Sequence, residues 1–258
     1  LFAGPGGLGE GFSSYAHSSS HPFKIALSVE KDLAAHKTLK TRALYRQFNK
    51  NDIPEAYFKF LRSDSSGLTE YLDSSLFKDQ IMNAEHEAQK LTLGRDNQEI
   101  GNLIRERLKG RNDFVLIGGP PCQAYSLIGR SRMKHVQDFE SDERHILYRH
   151  YLNVIAEFKP AVFVMENVKG ILSSRLNGEK VFSRIREDLT NPGSAVNGGK
   201  GQSLRYDIYS FNPTDNTSKV VPLLPSEPHE IESSDFVIKS ENYGIPQERH
   251  RVIILGIR

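Results

Sequence analysis

Four short apolar runs, each ended by glycine, proline or polar residues, constrain the fold more than any other feature of this sequence. They cover residues 23–29, 114–117, 161–165 and 252–255. Their consecutive positions are apolar, as in strands that are covered on both faces. Residues 206–211, resumed at 236–238, form a fifth candidate strand, and residues 1–3 resemble the end of another. These runs predict a parallel sheet with helices on both faces.

Helical patterns separate the apolar runs. Apolar residues at helical spacing predict helices over residues 100–108 and 146–158, ended by Gly110 and Pro160. Residues 31–48 show a weaker pattern of the same kind. The alternation of strand and helix predicts an α/β fold with a doubly wound, mostly parallel sheet.

Three segments do not fit this alternation. Residues 49–97 have mixed polarity and predict a helical insertion. Residues 191–202 are rich in glycine and asparagine, and residues 212–235 contain several prolines. We expect both of these segments to be loop insertions.

The composition excludes several classes of protein. Lys and Arg number 34 and Asp and Glu number 32, and this net charge of +2 neither requires nor excludes a nucleic acid. The single cysteine excludes an internal disulfide and a zinc site with several thiolates, and we predict no metal site. No apolar stretch approaches the roughly 20 residues of a membrane span, and no signal peptide is recognisable. The sequence therefore predicts an intracellular protein.

A glycine-rich segment follows the first candidate strand. Residues 4–9 are GPGGLG, which fits the pattern G-x-G-x-x-G, and glycines let a backbone turn sharply and approach a ligand. Glu30, which closes the next strand, is placed to accept hydrogen bonds from ribose hydroxyls. The pattern favours a nucleoside cofactor, either NAD, FAD or adenosylmethionine, over a purely structural turn.

Cys122 lies in a stiff loop, GGPPCQ, just after the strand predicted at residues 114–117. Open α/β sheets bind ligands at this edge, and a core cysteine would lie inside an apolar run. The context favours a nucleophile over an inert thiol, although no nearby histidine offers a base. The basic residues that follow either hold phosphates or form a solvated loop; they are Arg130, Arg132, Lys134 and His135.

Charged residues also flank two other predicted strands. Glu166 ends the strand predicted at residues 161–165, where it could bind and protonate a ring nitrogen or simply cap a helix. Arg249 and Arg251 alternate before the last strand, so on an extended chain they point the same way. They could meet an anion or a carbonyl, or they could be solvated on a surface strand.

In their order along the chain, these motifs resemble those of the DNA cytosine-5 methyltransferases. The matching segments are FAGPGG at 2–7, Glu30, GGPPCQ at 118–123, ENV at 166–168 and QERHR at 247–251, and residues 142–147 look like a weaker intermediate motif. The resemblance spans nearly the whole chain. It implies a Rossmann-like, S-adenosylmethionine-dependent methyltransferase fold, with residues 1–258 forming one catalytic and cofactor-binding domain.

The resemblance also implies an activity. The protein would transfer a methyl group from S-adenosyl-L-methionine to C5 of a cytosine flipped out of double-stranded DNA. Cys122 would attack C6 of the ring, and Glu166 would protonate or hydrogen-bond N3. Arg249 would orient Glu166, while Arg251 would contact the cytosine O2.

The remaining site residues follow from the same resemblance. Those expected to bind the cofactor are Phe2, Ala3, Gly4, Gly6, Gly7, Leu8, Gly9, Glu30, Pro120, Leu147 and Asn242. Those expected to contact DNA are Gln123, Ser126, Arg130, Arg132, Asn167 and Gln247. The family places such an enzyme in the cytoplasm or nucleoid, within a restriction-modification system.

One part of the family pattern is missing, and three alternatives stay open. The family normally continues into a target-recognition domain, which we expect to be absent from residues 1–258 and supplied by a C-terminal segment or a separate subunit. A tRNA cytosine-5 methyltransferase would use the same pocket. An NAD-dependent oxidoreductase would leave Cys122 and Glu166 unexplained, and an inactive scaffold subunit would not need them.

Overall fold

The computed structural model of the chain describes residues 1–18, 20–49, 51–63, 76–121, 143–176, 179–197, 204–211 and 232–258. Within these residues the chain divides into two compact units, Leu1–Lys109 and Gly110–Arg258. No helix in the described ranges is long and apolar enough to cross a membrane.

The first unit combines helices with a two-stranded parallel sheet. Its strands are β1 (Ser28–Val29) and β2 (Ala88–Gln89). Its helices are α1 (Gly7–Ser14), α2 (Leu33–Tyr45), α3 (Glu55–Leu61), α4 (Lys78–Glu87) and α5 (Asn97–Leu108). The amide of Ala3 donates to the carbonyl of Val29 at 3.0 Å, so the predicted strand end at residues 1–3 lies beside β1.

Helix α2 supplies most of the core of this unit. Its residues Leu39, Ala43 and Leu44 are buried and pack with Ala84 of α4 and Ala88 of β2. The helix begins where the Asp32 carboxylate accepts a hydrogen bond from the amide of Ala35 at 2.8 Å, as an N-cap does. Burial of this apolar face stabilises α2 more than its weak intrinsic pattern would.

The second unit contains a five-stranded sheet in the order β3-β4-β9-β7, with β8 also paired to β9. Its strands are β3 (Val115–Gly118), β4 (Val162–Val168), β7 (Asp207–Tyr209), β8 (Val237–Lys239) and β9 (His250–Ile257), and β5 (Arg175–Leu176) and β6 (Glu179–Lys180) form a separate hairpin. Its helices are α6 (Glu143–Phe158), α7 (Val181–Thr190) and α8 (Pro192–Asn197), with 3-10 turns at Lys169–Leu172, Ser233–Phe236 and Ser240–Tyr243.

Buried tyrosines join the elements of the second unit. The Tyr151 hydroxyl on α6 donates to the carbonyl of Val164 in β4 at 3.4 Å, and Tyr148 reaches the carbonyl of Ile185 in α7 at 3.3 Å. Burial raises the pKa of Tyr151 far above its usual range, so this hydroxyl stays a neutral donor.

The predicted α/β class is confirmed, but the direction of the last strand differs from the expectation. The pairs β1–β2 and β3–β4 are parallel, whereas β9 runs antiparallel to β4, β7 and β8. Alternate residues Val252, Ile254 and Gly256 are buried along β9, and the residues between them are partly exposed. This alternation is typical of an antiparallel strand with one covered face, and it was hidden in an apolar run read as continuous.

Two predicted insertions also need correction. Residues 49–97 are not only helical, because they contain β2, a strand too short to leave a pattern in the sequence. Residues 191–202 are not simply a loop, because Pro192 begins α8 at the position where a missing amide hydrogen costs nothing. Of the second predicted loop, only residues 232–235 are described, and Ser233–Phe236 is a 3-10 turn.

We predict that Gly256→Ala destabilises the protein by about 1–3 kcal/mol, the usual cost of overpacking a core. Gly256 lies opposite Phe163, and a methyl group on it would come within 2.1 Å of the Phe163 ring. That ring is fully buried and lies 5.1 Å from the Tyr206 ring, so it has no free space to enter. Urea unfolding measures the effect. Gly11→Ala on α1, where an added methyl group contacts nothing, is the control and should not destabilise.

Candidate active site

The glycine segment forms a tight turn that leads directly into α1. Gly6 is the N-cap of that helix with φ 94°, in the left-handed region that favours glycine. Its amide donates to the carbonyl of Ala3 at 3.0 Å, and its carbonyl accepts from the amide of Glu10 at 2.9 Å. A methyl group on Gly6 would come within 2.9 Å of Leu39 Cδ1. The turn therefore requires glycine both for its conformation and for its packing on α2.

Glu30 is attached to this turn. One oxygen of its carboxylate accepts a hydrogen bond from the amide of Gly4 at 2.7 Å, and the other accepts from the amide of Asp32 at 2.8 Å. Each carboxylate oxygen can accept a second hydrogen bond, so the half-buried group retains the capacity to bind two hydroxyls. The ribose contact remains a prediction.

The predicted cofactor residues fall in both units. The structure brings eight of them together around the glycine turn: Phe2, Ala3, Gly4, Gly6, Gly7, Leu8, Gly9 and Glu30. The other three lie in the second unit, where Pro120 is buried in the loop after β3, Leu147 is half-buried on α6 and Asn242 is exposed in the turn Ser240–Tyr243.

An arginine that the sequence analysis missed lies beside the glycine turn. Arg46 follows α2 and forms ion pairs with Glu10 on α1 and Glu87 at the end of α4. Glu87 is 7% exposed, and burial raises its pKa although Arg46 acts in the opposite direction. No sequence motif predicts this cluster, because its three residues come from distant parts of the sequence.

We predict a pH-dependent effect of Glu87→Gln on stability. A carboxyl group whose pKa is raised by folding stabilises the folded state when protonated and loses that contribution as the pH rises above its ordinary value of 4.5. The variant lacks this loss, so its free energy of unfolding relative to the wild type should increase from pH 4.5 to pH 7.5. Urea unfolding at several pH values measures it, with Glu85→Gln on the exposed side of α4 as control. A difference that is independent of pH would contradict the prediction.

In the second unit, Glu166 and Arg251 form an ion pair where β4 ends and β9 begins. Arg251 Nε lies 2.9 Å from Glu166 Oε1, and Arg251 Nη1 donates to the carbonyl of His250 at 2.7 Å. The pairing register places Ile253 opposite Glu166, and Arg251, two residues away, therefore extends from the same face. The two side chains are about one quarter exposed, at 25% and 27%, so the pair is partly shielded from water.

This geometry corrects the role predicted for Arg249. Arg251, not Arg249, holds Glu166, because β4 ends at Val168 opposite Arg251 and Arg249 extends beyond it. Arg249 is exposed, and its carbonyl accepts hydrogen bonds from the hydroxyl and the amide of Ser240 at 2.5 and 3.2 Å.

The start of β9 is held by a hydrogen bond between the side chains of His250 and Glu241. His250 Nε2 lies 2.6 Å from Glu241 Oε1. The pKa of the Glu241 carboxyl is lowered by a hydrogen bond from its own backbone amide and by His250, so this group is held in its ionised form. Together with Ser240, the pair attaches the turn Ser240–Tyr243 to the strand that carries Arg251.

The loop that leads toward Cys122 lies against Glu166. A methyl group on Gly119 would come within 3.1 Å of Glu166 Oε2. The Asn167 side chain donates to the carbonyl of Pro120 at 3.0 Å and accepts from the amide of Val168 at 2.9 Å. The end of β4 therefore fixes both the acid and the start of the cysteine loop.

Asn167 is thus not placed as predicted. It was expected to contact DNA, but its side chain is 3% exposed and its amide is used within the protein. Its neighbour Glu166 faces the opposite side of β4, as alternation along a strand requires. Gln247 is exposed, as a DNA contact needs to be. The other predicted catalytic and DNA-binding residues lie outside the described part of the chain: Cys122, Gln123, Ser126, Arg130 and Arg132.

Comparison with known proteins points to one family. Residues 86–197 match the family model for C-5 cytosine-specific DNA methylase. The type II methyltransferase M.Bpa9945I of Bacillus paralicheniformis is 32% identical over 274 residues, covering 100% of this chain and 53% of that protein. The DNA (cytosine-5-)-methyltransferase M.ApeKI of Aeropyrum pernix is 33% identical over 170 residues, covering 62% of this chain and 30% of that protein. The chain thus spans about half the length, or less, of these relatives.

One solved structure supports the fold. It is an E. coli protein assigned as a DNA modification methyltransferase encoded within a prophage, and it matches with a TM-score of 0.51 at 23% identity. The match covers 100% of this chain and 45% of that chain. At this level of identity the comparison bears on the fold alone.

Proposed function

The chain belongs to the C-5 cytosine-specific DNA methylase family, and we propose that its protein transfers a methyl group from S-adenosyl-L-methionine to C5 of cytosine in double-stranded DNA. The observation that carries this proposal is the Glu166–Arg251 ion pair directly beside Gly119, three residues before Cys122. An acid that is held by an arginine and contacts the segment preceding a candidate thiol nucleophile in the sequence matches the chemistry that methylation at C5 needs.

We assign the nucleophile to Cys122. The C5 atom of cytosine is too weak a nucleophile to accept a methyl group unaided. When the Cys122 thiolate adds to C6, the electron pair of the C5–C6 double bond moves to C5 and into the ring, which makes C5 nucleophilic. After methylation, a base takes the C5 proton, the electron pair of that C–H bond forms the C5–C6 double bond, and the thiolate leaves with the electrons of the C–S bond, which restores the free enzyme. The base must leave the helical stack for Cys122 to reach it.

Glu166 and Arg251 would act on the other edge of the ring. Glu166 hydrogen-bonds or protonates N3 and so stabilises the negative charge that develops when the thiolate adds. Arg251 holds the Glu166 carboxyl by a charge-assisted hydrogen bond and donates to the cytosine O2. Asn167 contributes indirectly, because it fixes the loop that precedes Cys122.

The glycine turn and Glu30 would hold the cofactor, which supplies the methyl group. The residues present fit a nucleoside, because nothing lies within 4 Å of the positions that a methyl group would take on Gly4 and Gly7, and the Glu30 carboxylate can still accept hydrogen bonds. We further propose an intracellular enzyme of a restriction-modification system, with DNA sequence recognition supplied by a segment or subunit other than residues 1–258.

A mechanism-based trap tests the proposal. Double-stranded DNA that carries 5-fluorocytosine is mixed with the protein and adenosylmethionine, and because fluorine blocks the final elimination, a covalent adduct should survive denaturation. Mass spectrometry should locate the adduct at Cys122. An adduct with RNA but not with DNA would favour the tRNA-modifying alternative. The absence of any adduct, or an adduct at another residue, would contradict the proposed mechanism.

A further inference from the structure

We propose that Arg46 is a positioning residue for the cofactor site. It fixes the glycine turn relative to Glu30 by binding the carboxylate of Glu10, which follows the turn, and that of Glu87, which precedes β2. This inference rests on the proposed function, which assigns the turn and Glu30 to the nucleoside of adenosylmethionine. Arg46 matches none of the motifs by which the chain resembles its family.

One face of α2 lies beneath the glycine turn. A methyl group on Gly6 would come within 2.9 Å of Leu39 Cδ1 and 3.6 Å of Arg42 Cδ. Leu39, Arg42 and Arg46 follow one another at helical spacing, so they continue the same face. The turn thus lies on a row of side chains that ends at Arg46.

The first of the two ion pairs connects Arg46 to α1, the helix that begins directly after the glycine turn. The Arg46 guanidinium forms an ion pair with Glu10 of α1. The amide of Glu10 donates to the carbonyl of Gly6 at 2.9 Å, so Glu10 belongs to the first hydrogen-bonded turn of α1. A displacement of Glu10 would therefore change its hydrogen bond to Gly6 and shift the glycine turn.

The second ion pair connects Arg46 to β2, the strand that is hydrogen-bonded to Glu30. The second ion-pair partner of Arg46, Glu87, immediately precedes β2. In β2, the carbonyl of Gln89 accepts from the amide of Glu30 at 3.1 Å, and the Glu30 carboxylate in turn accepts from the amide of Gly4 at 2.7 Å. Arg46 is therefore connected to the glycine turn by two routes, one through Glu10 and one through Glu87, β2 and Glu30.

Binding two carboxylates on separate elements with one side chain requires arginine rather than lysine. The guanidinium is a rigid fork with five donors, which can bind two carboxylates on separate elements at once, whereas a lysine ammonium is a single point of charge. The cluster is also shielded from water, since the side chains of Arg46 and Glu87 are 17% and 9% exposed. Loss of Arg46 would leave Glu10 and Glu87 as two neighbouring carboxylates without their shared cation, and they would repel each other.

The first test is ligand binding. S-adenosylhomocysteine binding to the protein is measured by calorimetry for the wild type, Arg46→Met and Arg46→Lys, at a temperature where each is folded. We expect the Kd to rise at least 10-fold in Arg46→Met, with partial recovery in Arg46→Lys. The matched control is Leu44→Ala, a buried position of the same helix, which should lower the melting temperature without changing the Kd. Equal Kd values for Arg46→Met and the wild type would overturn the proposal.

The second test does not depend on any ligand. Hydrogen exchange of the Gly4 amide, which donates to Glu30, is measured by NMR relative to the Ile100 amide of α5, which donates to the carbonyl of the N-cap residue Asp96 at 3.0 Å. We expect this ratio to rise at least 10-fold in Arg46→Met and to stay constant in Leu44→Ala. If the ratio rises but the wild type binds no S-adenosylhomocysteine, the positioning role stands and the cofactor assignment fails. If the ratio is unchanged, the positioning role is wrong whatever the ligand result.

Discussion

Cys122→Ser should abolish methyl transfer while leaving the binding of DNA and S-adenosylhomocysteine intact. A serine hydroxyl is far less nucleophilic than a thiolate at neutral pH, so addition to C6 should fail. Loss of a covalent nucleophile lowers kcat on the order of 10⁴-fold or more. The measurement is incorporation of tritiated methyl groups into duplex DNA under single-turnover conditions.

Two controls make this result specific to the thiol. Circular dichroism and the melting temperature of Cys122→Ser should match those of the wild type, since the replacement is nearly isosteric. The Ser141→Ala variant, which removes a hydroxyl group from a residue with no predicted site role, should retain most of the transfer rate. Residual transfer by Cys122→Ser within about 10-fold of the wild type, a loss of only 1.4 kcal/mol of transition-state stabilisation, would show that Cys122 is not the nucleophile.

The second large effect concerns the Glu166–Arg251 ion pair. Glu166→Gln should lower kcat by about 10²–10⁴-fold, because an amide cannot transfer a proton to N3. Arg251→Leu should reduce kcat by a similar factor, since it removes the charge-assisted hydrogen bond that orients Glu166. The binding of S-adenosylhomocysteine should be unchanged in both variants. Single-turnover kinetics with saturating DNA separates the loss in kcat from a loss in affinity.

A comparison between two arginines sharpens this prediction. Arg249→Leu removes the same charge from the same segment, but Arg249 is exposed and does not contact Glu166 in the structure. We expect its effect to fall mainly on DNA affinity and to weaken as the salt concentration rises, as for a phosphate contact. An effect of Arg249→Leu on kcat as large as that of Arg251→Leu would contradict the pairing seen here.

The elements with a strong local signal were predictable from the sequence. Helix α5 follows the spacing of Ile100 and Ile104 and ends just before Gly110, and β4 follows the apolar run at residues 161–165. In these cases local pattern and tertiary burial agree. Strand β2 could not be predicted, because two residues carry no periodicity and only the pairing with β1 makes them a strand.

The site residues were predicted better than their partners. Glu166 and Arg251 were both identified, but which arginine holds the acid depends on how β9 pairs with β4, and the sequence near Arg251 contains no signal for that register. Asn167 was identified for a different contact, because its burial depends on which face of β4 meets the protein. Arg46 was missed, since its importance comes from three elements that meet only in the folded chain.

The reversed direction of β9 has a practical consequence for protein engineering. Because β9 runs against β4, its first residues lie at the edge that carries Glu166, and each later residue lies farther from that edge. At roughly 3.3 Å per residue, the backbone at Arg258 is about 23 Å from Arg251. A fluorophore attached to the side chain at position 258 would therefore lie well away from the proposed catalytic pair. The same label placed between Tyr243 and Arg249 would lie next to it.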